Sequence, residues 1–315
     1  MTKQVTVPEY AKKAAYSKPG NGFLSLRGRH WLTVRYSSYW YLGLVAISVV
    51  LLILVYYKSR NHRSFALFLG MVGVSYCIEF VIFTLLGSYQ YYPGFIKHNS
   101  YYDSNIGSGI SNFLILPSSA AAIAVFRKGW LWIVVTTGLF AAVEWLFLHL
   151  QIYRHNWWSI GYTALGLPFY YLTAKAWYNR IMRPMKGLLL FVTLVLITGA
   201  ILGTLMYLPI AFLGVRTYHI GWFENISRDT TVFVTVYWLV LAVAYTTIFS
   251  FTWSYAWPKY VISLGLLIFL MSALSQADIL RTHAWWDPYY CVFVCLLVLL
   301  YLGALRKRLL MGPAV

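Results

Sequence analysis

Two acidic residues stand where acids are costly. Glu79 and Glu144 each fall inside a long apolar run. A charged carboxylate in a membrane helix costs about 2.5–3.5 kcal/mol on insertion scales. Such a group faces a cavity, pairs with a cation, or keeps its proton. The chemistry indicated is proton or cation handling; the competing explanation is a structural hydrogen bond between helices, with Ser75, Tyr76 or Gln151 as partner. A second polar set lies between the runs: His155, Arg216, His219, Glu224, Asp229, Asp278, His283 and Asp287. The stretch from Arg216 to Asp229, with Arg228, is the densest. Loop charges are usually just solvated, although loops also carry function. No HExxH or CxxC spacing occurs, so no metal or cofactor is expected. GxSxG, P-loop and GxGxxG motifs are missing too, which makes an enzyme the less favoured class.

The elements that must position these residues are apolar. Of 315 residues 60% are hydrophobic and 10% charged, and mean hydropathy is +0.66. A soluble domain carries about a quarter charged residues, so lipid must solvate much of this surface. Runs at roughly 39–57, 65–88, 110–126, 129–150, 159–177, 187–213, 231–251, 258–277 and 288–305 match helices of about 20 residues spanning 30 Å. The expected fold is all-α: a polytopic transmembrane bundle of about nine spans with short loops. A basic tail, 1–38, interfacial or disordered, precedes it, and 306–315 follows as a second basic tail. Pro117, Pro168 and Pro209 predict kinks or breaks inside runs. Cys77, Cys291 and Cys295 lack metal-ligand company and read as small hydrophobes.

The net charge of +17 does not signal nucleic acid, because Lys and Arg sit in small groups between apolar runs. Alternate loops hold Lys58, Arg60, Arg63, Arg127, Lys128, Lys175, Arg180, Arg183, Lys186 and Lys259, with Arg306, Lys307 and Arg308 after the last run. By the positive-inside rule this side is cytoplasmic in a bacterial plasma membrane, which places the N-terminus outside, although the basic N-terminal tail opposes that assignment. The acids and most histidines gather on the other side.

Two stretches echo each other. Glu79-Phe-Val-Ile-Phe-Thr-Leu is followed by Tyr89 and then Tyr91-Tyr92. Glu144-Trp-Leu-Phe-Leu-His-Leu is followed by Tyr153 and then Trp157-Trp158. A third aromatic corner ends in Trp285-Trp286. The echo suggests a duplicated unit running parallel; the general liking of interfaces for Trp and Tyr is the competing explanation. Residues from about 76 to 178 resemble a family of small membrane proteins of spore-forming Firmicutes. The resemblance rests on Leu114-Ile115-Leu116-Pro117, Glu144, and Tyr153-Arg154-His155-Asn156-Trp157-Trp158-Ser159-Ile160-Gly161-Tyr162. Gly166-Leu167-Pro168 departs from the Asp-Pro usual there. The resemblance implies a host and a membrane and carries over no catalytic residue.

Three function classes remain. One is transport of a small solute or ion, with Glu79 and Glu144 as proton or cation sites. Another is a non-catalytic subunit or sensor binding a second membrane protein or anionic lipid. The last is a lipid-directed enzyme at the outer face, which requires His155, His219 and His283 to converge.

Overall fold

The computed structural model describes the backbone of residues 22–311 and side chains from residue 37. Its helical rods are α1 (Gly22–Ser59), α2 (His62–Glu79), α3 (Ser100–Gly109), α4 (Leu116–Val125), α5 (Trp130–His149), α6 (Ile160–Ile181), α7 (Gly187–Leu213), α8 (Ile226–Ser250), α9 (Trp257–Gln276) and α10 (Asp287–Met311). A π-helical stretch, Phe80–Leu85, extends α2, and another, Ile110–Ile115, joins α3 to α4 in one rod. Among the described residues there are also four short strands: β1 (Tyr89–Tyr91), β2 (Tyr153–His155), β3 (Arg216–Tyr218) and β4 (Leu280–Thr282).

Eight of the rods are long and apolar enough to cross a membrane. Exposed side chains such as Leu131, Phe169 and Phe269 cover the outside, a surface that suits lipid and not water. The chain is therefore an all-α, polytopic integral membrane protein. Helix α6, with Lys175, Arg180 and many tyrosines, falls outside that set of eight, yet it traverses the same bundle. It starts just after β2, and at its far end Arg63 Nη1 donates to Ile181 O at 2.5 Å. Arg63 also donates to the Arg308 carbonyl beside it.

Three expectations shift. The backbone is helical from Gly22, inside the stretch expected as a tail; residues 1–21 and 312–315 lie outside the described residues. The third rod begins at Ser100, ten residues before its apolar run. Its first turns are polar because they bury Asp103, Ser104 and Ser108 against protein. Of the three prolines only Pro117 accompanies a change of helix type. It cannot donate to residue 113, and the turn ahead of it is π-helical. Helices α6 and α7 continue through Pro168 and Pro209.

The chain does repeat, in a register different from the sequence echo. The two echoing stretches pair with each other: β1 and β2 form an antiparallel ribbon, with Tyr89 opposite His155 and Tyr91 opposite Tyr153. A shift of 127 residues turns this ribbon into β3–β4, with Arg216 opposite Thr282 and Tyr218 opposite Leu280. The shift maps Gly87 onto Gly214 (φ 59° in both) and Gly94 onto Gly221, also at positive φ. It maps Gln151 onto Asp278, at φ 57° and 56°. Left-handed backbone at matched points gives matched turns. The hydrogen bonds follow suit. Tyr92 N to Ile152 O (3.0 Å) corresponds to His219 N to Ile279 O (2.8 Å), and Asn156 N to Ser88 O (2.9 Å) to His283 N to Val215 O (2.7 Å). With one residue fewer in the second loop, Asn99 and Asn225 cap α3 and α8. Tyr91 N donates to Ser104 Oγ as Tyr218 N donates to Thr230 Oγ1, both at 3.0 Å.

The protein is thus two copies of a helix–strand–helix–helix–strand–helix unit, α2 to α6 and α7 to α10, preceded by α1. Both copies start at the face rich in Lys and Arg and form their ribbons at the other, so the repeat is parallel. They meet along α2 and α7, where Gly73 lets the backbones approach: a Cβ there would lie 2.5 Å from Leu196 O. Asn99 Nδ2 donates to Ser227 Oγ at 2.8 Å, tying the starts of α3 and α8. Arg228 Nη2 donates to Leu85 O at 2.8 Å, at the end of the extended α2.

Candidate functional site

Both predicted carboxylates line one cavity of about 760 Å³ in the first repeat, bounded by α1, α2, the α3–α4 rod, α5 and α6. Glu79 ends the regular part of α2, and its carboxylate accepts from Tyr89 OH and Ser108 Oγ, each at 2.5 Å. Both are short hydrogen bonds. They replace the expected partners: Ser75 bonds Tyr170 OH (2.8 Å) and Tyr76 bonds Thr204 Oγ1 (2.7 Å). Glu144 lies 2.7 Å from His155 Nε2, its side chain 10% exposed. Ribbon β1–β2 makes both arrangements, because it returns Tyr89 and His155 over the helices that carry the acids.

Aromatic rings close the ribbon end. Tyr41 of α1, Tyr89, Tyr91, Tyr153 and Trp158 all line the cavity. Tyr89 and Tyr91 lie 5.4 and 4.8 Å from Tyr153, and Tyr89 lies 5.6 Å from Trp158. Tyr41 OH donates to Ile152 O at 3.0 Å, so α1 is pinned to the ribbon. Burial, reinforced by the nearby Glu79 carboxylate, pushes the Tyr89 phenol well above its ordinary value. It therefore stays a donor to Glu79.

The cavity reaches Lys128 and Trp132 at the basic end. A second cavity, about 410 Å³, lies between the repeats among α2, α3, α7 and α8. Glu79 faces both spaces. One π-helical stretch follows Glu79 directly, and the other carries Ser111 and Asn112. Such turns often mark functional sites, and α7 and α8 run as ordinary α-helix.

The remaining predicted residues divide. Arg216 and Asp287 are not the solvated loop charges expected: both side chains are 0% exposed and form an ion pair at 3.2 Å. Arg216 also donates to Cys291 Sγ at 2.6 Å, giving that thiol a polar role beyond filling space. Asp229 is buried too; its carboxylate accepts from the amides of Ile220, Gly221, Trp222 and Phe223 at 2.8–3.2 Å. Glu224 is exposed. Asp278 is also exposed, and its bond to Arg281 at 2.7 Å holds its carboxyl below the usual range. His219 and His283 each lie 3.1 Å from Thr217 Oγ1, whereas His155 sits in the other ribbon with Glu144. The three histidines do not form one constellation. Among the aromatic corners, Tyr91 and Trp158 line the cavity, while Tyr92, Trp157 and Trp285 are exposed. Trp286 meets Tyr290 edge-on, with ring centroids 5.9 Å apart. Among the described residues no three His, Cys, Asp or Glu side chains gather as a metal site.

Sequence reasoning does not find Ser108, Asn112 or Tyr41. Gly107-Ser108-Gly109, whose glycines suit a loop or close packing, lies in helix, with Gly107 pressed against Tyr91. The spacing of Ser108 and Asn112, four apart, is the signal that could have placed both on one helix face. Comparison with protein-family models, with curated proteins and with solved structures gave no match.

Proposed function

We propose that the protein moves a cationic solute across the membrane in exchange for protons, with Glu79 and Glu144 as the exchanging carboxylates. The observation that carries this reading is the position of Glu79. Its carboxylate lines both internal cavities and so stands at the partition between them. A carboxylate held by two hydroxyl donors can bind a proton or a cation, but not both at full strength. Competition of that kind couples the two fluxes. Glu144, bonded to His155, supplies the second negative group in the larger cavity. By the positive-inside rule the ribbons would lie at the outer surface.

The test uses the full chain in liposomes with a trapped pH-sensitive dye. Guanidinium or tetraethylammonium, neither of which sheds a proton in this range, is added outside. The lumen becomes alkaline as protons leave. Glu79→Gln and Glu144→Gln keep size, remove the titrating group and reduce the rate at least tenfold, with folding checked by melting temperature. No proton movement in the parent protein, or an equal rate in both folded variants, sinks the reading.

A further inference from the structure

We infer that the ligand of the larger cavity is an ammonium head on an apolar chain, admitted sideways from lipid between α1 and α5. This rests on the cation-exchange reading and names its substrate class. Three observations carry it.

The head end is built for a cation that is not strongly hydrated. Two carboxylates and five aromatic side chains, Tyr41, Tyr89, Tyr91, Tyr153 and Trp158, line that part of the cavity. Aromatic cages of this sort recognise alkylated ammonium groups through the negative faces of the rings. The second repeat offers an internal comparison. Arg216 holds the ribbon position of Tyr89 and sends its own guanidinium inward to Asp287 and the Met206 carbonyl. One repeat carries its cation on the chain; the other presents acids to an open space.

The body of the cavity is apolar and long. Leu44, Ile47 and Leu51 of α1 face Leu139, Phe140 and Val143 of α5 across it. Its volume of about 760 Å³ holds about 25 groups of water or methylene size. That is far more than a bare inorganic ion needs.

The wall is open at a seam. Helices α1 and α5 meet at the ribbon end, where Tyr41 and Phe147 rings lie 5.3 Å apart. Further along, Ile47 and Leu139 line the cavity and are 66% and 60% exposed. A chain can enter there without passing through water. A phosphate-bearing lipid fits poorly, since the acids sit at the head end and Lys128 at the opposite one.

Full-length protein in nanodiscs is labelled with dodecyltrimethylammonium carrying a diazirine near its chain end. Crosslinks are expected on α1 and α5 around Ile47 and Leu139. Unlabelled dodecyltrimethylammonium should suppress them, with tetramethylammonium at least tenfold weaker and dodecyl sulfate without effect. The double variant Ile47→Trp, Leu139→Trp should lose labelling while staying folded, as judged by melting temperature. Equal competition by tetramethylammonium overturns the apolar-chain assignment and leaves cation exchange standing. Equal competition by dodecyl sulfate overturns the ammonium head, and the liposome assay then judges the cation reading separately. Suppression by a phosphatidylcholine at matched concentration overturns the exclusion of phosphate lipids. Labelling undiminished in the folded double variant overturns the seam.

Discussion

Tyr89 and Arg216 hold the same place in the two repeats, and each reaches from its ribbon back to the first helix of its unit. Tyr89 donates to the Glu79 carboxylate at 2.5 Å, and Arg216 to the Met206 carbonyl at 3.4 Å. Substitution at one structural position has left one repeat with an acid beside a cavity and the other with a sealed ion pair. Arg216→Met leaves the buried Asp287 carboxyl unpaired, at a cost of about 3–5 kcal/mol. Replacing both partners, Arg216→Met with Asp287→Leu, restores most of that loss. Melting temperatures of the three proteins check this; a double variant no better than the single one contradicts it.

Asp103 and Asp229 do the same work unequally. Each clamps the loop between its ribbon and the following helix. Asp103 accepts amides from Gly94 and Ile96 at 2.9 and 2.8 Å, and Asp229 accepts four. Bonds to a charged acceptor contribute about 1.5–3 kcal/mol each. Asp229→Ala should cost more than Asp103→Ala, with faster amide exchange confined to residues 220–223 and 94–96 respectively. A larger loss at Asp103 would refute the comparison.

How much of the fold and the site is legible in the chain depends on how far each interaction reaches. Apolar length alone marks the rods. The cost of placing acids in lipid singles out Glu79 and Glu144 from the apolar residues around them. The start of α3 is hidden because helix polarity there answers to buried protein, Asp103 and Ser108, and not to lipid. The repeat is easily misread because its strongest sequence echo joins the two halves of one ribbon. The true register survives in turn residues, Gly87 with Gly214 and Gly94 with Gly221, while the chemistry at Tyr89 and Arg216 differs. Ser108 and Tyr41 escape notice as site residues, since their partners lie 29 and 111 positions away. Arg216, Asp229 and Asp287 look like ordinary loop charges until the fold buries them.

The contact of α2 with α7 predicts opposite outcomes at two glycines. A Cβ on Gly73 would meet Leu196 O at 2.5 Å and Leu196 Cβ at 2.7 Å, whereas one on Gly203 meets nothing within 4 Å. Backbone cannot yield as a side chain can, so Gly73→Ala forces the repeats apart, at about 1–3 kcal/mol. Gly203→Ala gains helix propensity, up to about 1 kcal/mol. Thermal unfolding should fall for the first and hold or rise for the second. A Gly73→Ala protein as stable as the parent would mean the repeats do not meet as described.

The aromatic end of the cavity also sets an alkaline limit. Burial, with neighbouring charges, raises the phenols of Tyr89, Tyr91 and Tyr153 above the ordinary value near 10. Such an acid keeps its proton in the folded chain after the unfolded chain has lost it. Its contribution to stability is complete below about pH 10 and is lost as pH climbs from there towards the folded value. Absorbance of tyrosinate near 295 nm should then show an early class of exposed phenols and a late class released together with unfolding. Melting temperature should drop over the same range. Tyr153→Phe removes one phenol from the late class and leaves the early one intact. If that variant instead reduces the early class, the ring is open to water and the cage around Glu79 and Glu144 is not closed on this side.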